Sequence, residues 1–252
     1  MTIVDAIILG VLQGITEFLP VSSSGHLVLA QEFLGINEPG NSFEIVLHLG
    51  TLLSVLVVFQ KDIFLMLGFS NSTFSVKYIL YIIIGTLPAG IIGIIFKDFF
   101  ALLFENRIAV GYALICTSLI LFSSFLVKSK NKKISFPFAF IIGCFQAIAI
   151  IPGISRSGIT ICMGILFGLS AKEAARFSFM LAIPIILGAG LLDIIDNSFN
   201  QEITVLVGLS GLVSSFFVGL ISLKWLLNLL EGGKLYYFGI YCFLIGMVSI
   251  FI

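Results

Sequence analysis

Apolar runs cover nearly the whole chain and leave no polar block large enough for a separate soluble domain. Six of them, about residues 43–60, 76–96, 108–127, 175–195, 202–223 and 235–252, meet or approach the roughly 20 residues that a helix needs to cross hydrocarbon. Two further apolar regions, 3–36 and 134–170, are interrupted near Pro20 and at Pro152-Gly153. The part after each break is only about 12 residues, too short to cross alone, so each region is expected to form a re-entrant helix pair that enters and leaves by one face. Backbone at such depth is tolerated only where protein buries it or water fills a cavity, which makes the two breaks the expected lining of a site.

Composition agrees with a chain solvated by lipid. Of 252 residues, 59% are hydrophobic and 10% charged, with a mean hydropathy of +1.20, against roughly 25% charged residues in a soluble domain. The formal net charge is zero, and the placement of charge carries more information than the sum. With six single crossings and two returning regions, Lys61, Lys77, Lys172, Arg176, Lys224, Lys234 and the run Lys128, Lys130, Lys132 and Lys133 collect on one face. Only Lys97 and Arg107 fall on the other, beside Asp98, Glu105, Asp193, Asp196 and Glu202. The lysine-rich face is therefore expected to be cytoplasmic, with both termini outside. The opening "MTIVDAIILG" lacks a basic leading region and is expected to belong to the mature fold. Cys116, Cys144, Cys162 and Cys242 have no metal-ligand spacing and are expected to be small packing residues.

An internal repeat emerges when "GVLQGITEFLPVSSSGH" at 10–26 is set against "GCFQAIAIIPGISRSGI" at 143–159. Gly10, Gln13, Ile15, Ser22, Ser24 and Gly25 meet Gly143, Gln146, Ile148, Ser155, Ser157 and Gly158. Downstream, "FEIVL" from Phe43 resembles "FSFML" from Phe177. Three predicted crossings separate the two units, and an odd number turns the second copy upside down. The expected fold is thus an all-α integral membrane protein, a single membrane domain over 1–252. Repeat one is about 1–127 and repeat two about 134–252, in an inverted-topology repeat whose re-entrant pairs meet near the bilayer midplane.

The polar residues cluster at the breaks. Gln13 and Glu17 are four apart, on one helical face, and an intramembrane carboxylate is costly unless partnered or functional. After Pro20 come Ser22, Ser23, Ser24, Gly25 and His26, where hydroxyls coincide with the N-terminus of a short helix. Such a place suits an anion, although a serine N-cap in a turn accounts for the hydroxyls equally well. The second break, "PGISRSGIT" at 152–160, brings Arg156 with Ser155, Ser157 and Thr160. A buried arginine needs an anionic partner, and a substrate phosphate is favoured over Glu17 for that role. Together the carboxylate, amide oxygen, guanidinium and hydroxyls could hold a hard cation and a phosphate group at once. His48, in "LHLGT", weighs more as a packing or hydrogen-bonding residue than as part of the site.

These motifs, "QGITE" with "SSSGH" and "PGISRSGIT", resemble those of the undecaprenyl-diphosphate phosphatases linked to bacitracin resistance, and segment order matches over essentially all 252 residues. The resemblance implies hydrolysis of undecaprenyl diphosphate to the monophosphate carrier lipid for cell-wall synthesis. It also implies dependence on a divalent cation, Mg²⁺ or Ca²⁺, and a site reached from the outer face of the bacterial cytoplasmic membrane. It makes Glu17 the main acidic residue with Gln13 beside it as cation ligand, Ser23 a hydroxyl at the reacting phosphate and His26 an acid/base residue. Ser155, Arg156 and Thr160 become phosphate-binding residues, and Ser22, Ser24 and Ser157 are placed beside them. The family commonly has an acid at position 13, so Gln13 implies a weaker metal site. The partners implied are a polyprenyl diphosphate lipid and the membrane, not nucleic acid, with a homodimer as one option for assembly. Attack by Ser23 and attack by an activated water both stay open.

Two rivals come from the same pattern. Inverted repeats with broken helices are a transporter plan, so a transporter or flippase of polyprenyl phosphate is the alternative. The type-2 phosphatidate phosphatases also have "SGH" and "SR", but no Arg-Pro occurs in this chain and no histidine follows residue 48, which excludes them.

Overall fold

The computed structural model describes residues 1–36, 42–66, 74–124, 132–195, 204–230 and 235–251, and among these the regular structure is helical throughout. The first interrupted region folds as α1 (Ile3–Thr16) and α2 (Ser23–Leu34), followed by α3 (Ser42–Val58), a short α4 (Gln60–Met66), α5 (Phe74–Ile95), a short α6 (Lys97–Phe104) and α7 (Arg107–Ser123). The second gives α8 (Phe136–Ile148) and α9 (Arg156–Leu166), followed by α10 (Ala171–Ile195), α11 (Val205–Leu230) and α12 (Tyr236–Phe251). Every expected crossing and both expected breaks are therefore helices and breaks at nearly the expected positions. Lys128, Lys130, Lys234, Asp196 and Glu202 of the charge pattern lie outside the described residues.

Local chemistry sets the helix ends. Thr2 and Asp5 form a reciprocal capping box at the start of α1, with the Thr2 N–H donating to Asp5 Oδ2 at 2.8 Å. Gly35 ends α2 in the left-handed conformation at φ 66°, and the Asn106 side chain accepts from the Ala109 N–H at 3.0 Å to start α7. Along α11, Leu209, Val213, Phe217 and Ile221 face outward, as do Leu87, Ile91 and Ile94 on α5. Such continuous apolar exposure is stable only against lipid tails, and the protein is an integral membrane protein.

Length divides the helices. Val76–Ile95, Ala171–Leu192 and Val205–Leu230 are long and apolar enough to cross unaided. The pairs α3–α4 and α6–α7 pass the same test jointly but bend by 75° and 98°, which gives up to five spans among the described residues. Helix α12, with 16 residues, is apolar but short of that length. The four cysteines form no disulfide; Cys162 and Cys242 are buried as expected, whereas Cys116 and Cys144 are exposed.

Contacts sort the helix ends into two groups. Ala6, Leu9, Phe43, Leu47 and Val207 pack together with Met1 and Ile36, so α1 starts and α2 finishes at one end of the bundle. At the other, Leu169, Leu230 and Leu235 share a cluster with Ile134, and the Lys132 N–H donates to the Gly168 carbonyl at 2.9 Å, so α8 starts where α9 finishes.

The two halves pack in equivalent ways. Helix α1 lies along α11 and α8 along α5, each through glycines that let backbones touch. A Cβ on Gly10 would stand 2.7 Å from the Gly211 carbonyl oxygen, and one on Gly143 would stand 2.8 Å from Gly85 Cα. At the breaks the contact is reciprocal: Gly25 closes on Gly153, and Gly158 closes on Pro20. Gly143→Val is expected to force α8 off α5 at a cost of about 1–3 kcal/mol, as overpacking does. Thermal unfolding in detergent checks this, with Gly90→Val as the control, since nothing lies within 4 Å of a Cβ there.

Candidate active site

Helix α1 carries Gln13 and Glu17 one turn apart on its buried face, and the chain then leaves the helix. Phe18, wholly buried, fixes the exit by packing edge-on against Phe179 of α10 with ring centroids 5.6 Å apart. The turn that follows is strained. Ser22 has φ 71°, the only positive φ of a non-glycine residue among the described residues, and such conformations persist only where the surroundings impose them. Its hydroxyl accepts from the Gly25 N–H at 3.3 Å to cap α2, and its carbonyl accepts from His26, whose Nδ1 is 2.7 Å away. A carbonyl cannot donate, so Nδ1 carries the ring proton. His26 Nε2 is then free to accept from the Tyr241 hydroxyl of α12 at 2.9 Å, with the two rings stacked.

The second break repeats the first. Ser155 caps α9 by accepting from the Gly158 N–H at 3.0 Å, as Ser22 does for Gly25. The hydroxyl pairs Ser22–Ser24 and Ser155–Ser157 both lie 3.3 Å apart. Thr117 of α7 pins this loop, donating to the Gly153 carbonyl at 2.8 Å and accepting from the Ser155 N–H at 3.0 Å. Ser157 ties the loop to the first break by donating to the Leu19 carbonyl at 3.3 Å. Because α2 and α9 begin beside each other, the positive ends of two helix dipoles converge on one small volume.

Glu17 stands at its centre. Its Oε2 accepts from Gln13 Nε2 at 3.0 Å and from the Ser23 hydroxyl at 2.7 Å, while Oε1 accepts from Arg156 Nη2 at 2.6 Å. The other arm of the guanidinium, Nη1, donates to the Ser178 carbonyl of α10 at 3.2 Å, and Thr160 and Ser178 share a hydroxyl hydrogen bond of 2.6 Å. His48 Nε2 of α3 faces the same Glu17 Oε2 at 3.5 Å. Glu17 and Gln13 are buried; Ser23, Arg156 and His48 are partly accessible.

The structure thus joins Gln13, Glu17, Ser23 and Arg156, and the partner of Arg156 is Glu17, the reading the sequence disfavoured. Ser22, Ser155, Ser157 and Thr160 spend their hydroxyls on caps and backbone, and Ser24 sits against Ser22. His26 is turned to Ser22 and Tyr241, and it is His48 that reaches the carboxylate. Thr117 and Tyr241, which hold the site in place, have no sequence signal, each belonging to an apolar helix with no motif around it, while Ser178 lies in the "FSFML" stretch that the repeat marks without a role.

A divalent cation fits this donor set. Gln13 Oε1 is buried with no hydrogen-bond partner, an oxygen ligand in waiting beside the Glu17 carboxylate. No three His, Cys, Asp or Glu converge among the described residues, so a cation would depend on these few protein atoms and on substrate oxygens.

A membrane-embedded helical protein with an acid, a hydroxyl and a guanidinium gathered at two facing helix breaks is of a class chemically able to bind an anionic group. Comparison with known proteins narrows the class: the model of the family "Bacitracin resistance protein BacA" matches residues 6–248. Relatives from Christiangramia forsetii (43% identical over 264 residues, 99% of this chain and 98% of the relative) and Halothermothrix orenii (41% over 255 residues, 99% and 98%) are both named undecaprenyl-diphosphatase. One from Bacteroides fragilis, 41% identical over 256 residues and covering 98% of this chain, carries the same name. The chain belongs to the BacA family.

Proposed function

We propose that this chain hydrolyses undecaprenyl diphosphate to undecaprenyl phosphate and inorganic phosphate, the activity for which its relatives are named. The carrying observation is the Ser23 hydroxyl hydrogen-bonded to the same Glu17 carboxylate that grips Arg156. The terminal phosphoryl group enters between Arg156 and the N-termini of α2 and α9, which stabilise the charge on its equatorial oxygens. Ser23 Oγ attacks the terminal phosphorus, its proton passes to Glu17 Oε2, and the bond to the bridging oxygen breaks with undecaprenyl phosphate leaving. Water then hydrolyses the phosphoserine, giving inorganic phosphate and restoring the hydroxyl. Glu17 and Gln13 Oε1 would hold a divalent cation, Mg²⁺ or Ca²⁺, which when bound supplies charge neutralisation to the phosphoryl oxygens. His26 acts through position: it clamps the strained Ser22 turn that aims Ser23.

The reciprocal packing of the halves supports an inverted-topology repeat, with α7 and the α12 that lies along it both crossing, making six spans. Lys61, Lys77, Lys172 and Lys224 then mark the cytoplasmic end. From the opposite end a polar route runs inward: Gln31 donates to Glu44 at 3.2 Å, His48 Nδ1 donates to the Glu44 carbonyl at 2.7 Å, and His48 meets Glu17. Towards the cytoplasm Phe18, Phe59 and Phe179 form an aromatic plug, and Arg176 pairs with Asp62 beyond it. This supports a site open to the outer face of the cytoplasmic membrane.

Purified protein in detergent is expected to release phosphate from undecaprenyl diphosphate, and a chelator to suppress that release. Ser23→Ala should lower turnover by at least about 10²–10⁴-fold, since the nucleophile and its proton transfer to Glu17 are lost together, and mass spectrometry of the quenched wild type should find phosphate on Ser23. Near-normal turnover by Ser23→Ala would assign attack to water instead. Lipid movement between leaflets with no phosphate release would replace the hydrolase by a transporter.

A further inference from the structure

We infer that Tyr241 of α12 is a positioning residue for the reaction, setting the aim of Ser23 through His26; the inference rests on the serine-attack reading above. The turn that carries Ser23 does not hold its own shape. Ser22 sits at φ 71°, a conformation that persists only where the surroundings impose it. Its carbonyl lies in the same peptide plane as the Ser23 nitrogen, so whatever fixes that carbonyl fixes the direction in which Ser23 leaves the backbone. The carbonyl accepts twice from residue 26, from the backbone N–H at 3.2 Å and from ring Nδ1 at 2.7 Å. The ring bond is the shorter of the two, and it lasts only while the imidazole keeps its angle.

Tyr241 sets that angle. Its hydroxyl oxygen is 2.9 Å from His26 Nε2, and its ring lies within 7° of parallel to the imidazole with centroids 5.5 Å apart. Nδ1 faces an oxygen that only accepts, which leaves Nε2 to the phenol whether the imidazole is neutral or charged. The hydroxyl donates to the first form and accepts from the second, so the clamp does not depend on protonation.

Helix α12 grips the break on both sides of the strained residue. Before it, the Cys242 thiol donates to the Pro20 carbonyl at 3.7 Å; after it, Tyr241 holds His26. One turn further along α12, Ile245 packs with Val28 and Leu29 of α2. The second break is held on the same plan from the opposite half, where Thr117 of α7 bonds the Gly153 carbonyl at 2.8 Å and the Ser155 N–H at 3.0 Å. Each break thus takes its shape from a helix of the other repeat, and at the first break the hydroxyl of Tyr241 is the outermost link to Ser23.

The test uses the full chain in detergent. Tyr241→Phe keeps the ring and removes only the hydroxyl. It should lower kcat at least about tenfold, towards the roughly 10²-fold that a misplacement of about 1 Å costs, with KM nearly unchanged and a thermal midpoint within a few degrees of wild type. Tyr237→Phe, one turn away with its ring against Tyr236, should keep wild-type kinetics. In a His26→Ala background Tyr241→Phe should cost nothing more, because the two residues act as one unit. A smaller fall in kcat, an equal fall in Tyr237→Phe or an additive double variant overturns the inference. The contact has a readout independent of turnover. The chain has two histidines, so ¹⁵N-histidine labelling gives two ring systems, and the one that vanishes in His26→Ala is assigned to residue 26. Its Nε2 resonance must move in Tyr241→Phe while that of His48 stays. Should that chain not fold, 3-fluorotyrosine at position 241, with its more acidic hydroxyl, must move the same resonance, and a resonance that stays put overturns the assignment. Wild type that releases no phosphate, or Ser23→Ala with wild-type turnover, would instead bring down the serine-attack reading beneath it.

Discussion

Arg156→Lys lowers turnover about 10²–10³-fold, the scale for losing a preorganised donor to the developing charge, and leaves the fold nearly as stable as before. The charge is kept, so Glu17 does not become a buried acid without a cation, the change that costs most when one partner of a pair is removed. Geometry is what goes. The guanidinium spans Glu17 Oε1 and the Ser178 carbonyl with its two arms, and that two-point anchorage fixes the plane it offers to a phosphate. An ammonium on a flexible stem reaches one of the two acceptors and presents no fork. Steady-state kinetics on undecaprenyl diphosphate should show kcat falling far more than KM rises, alongside a thermal midpoint within a few degrees of wild type. A variant with wild-type kcat would mean that the fork is structural, serving only to hold α9 against α10.

Much of this architecture is written in the order of residues. Helix lengths follow from the apolar runs because hydrocarbon thickness dictates them, and both breaks follow from Pro20 and Pro152-Gly153, which cannot continue a helix. The capping serines were legible too, as they are the same residue types at the same offsets in both units. Three features were not. The short helices α4 and α6 lie in the connections beyond the expected crossings 43–60 and 76–96. There Lys61, Asp62, Lys97 and Asp98 interrupt the apolar runs, so neither these helices nor their 75° and 98° bends are legible. The side chain nearest the acid in sequence, His26, is turned away by the left-handed Ser22 backbone, a conformation no serine announces. His48, 31 positions from Glu17, reaches the carboxylate only because α3 packs beside α1, and a lone histidine in an apolar helix carries no spacing that foretells this. Likewise the motifs located Arg156 inside the membrane, while the choice between Glu17 and a phosphate was a matter of distance, which only the packed halves define.

Glu17→Gln separates catalysis from binding more sharply than any other change. Three roles are removed at once: acceptor for the Ser23 proton, counter-charge for Arg156 and anionic ligand for a cation. Turnover should fall by about 10³–10⁴-fold, the upper range for a lost general base. Binding should move the other way. In the wild type a substrate phosphate competes with Glu17 for the guanidinium, and a carboxylate 2.6 Å from Arg156 also repels the incoming anion. With a neutral amide at position 17 the guanidinium is unpaired and free for phosphate, so methylenediphosphonate without added metal should bind more tightly than to wild type, measured by calorimetry. Adding Gln13→Glu restores a carboxylate one helical turn away, but Ser23 donates to Glu17 and not to Gln13, so the double variant should regain charge without regaining turnover. Recovery of phosphate release in that double variant would show that the site needs only a negative charge near Arg156, and the direct contact between Ser23 and Glu17 would then lose its place in the mechanism.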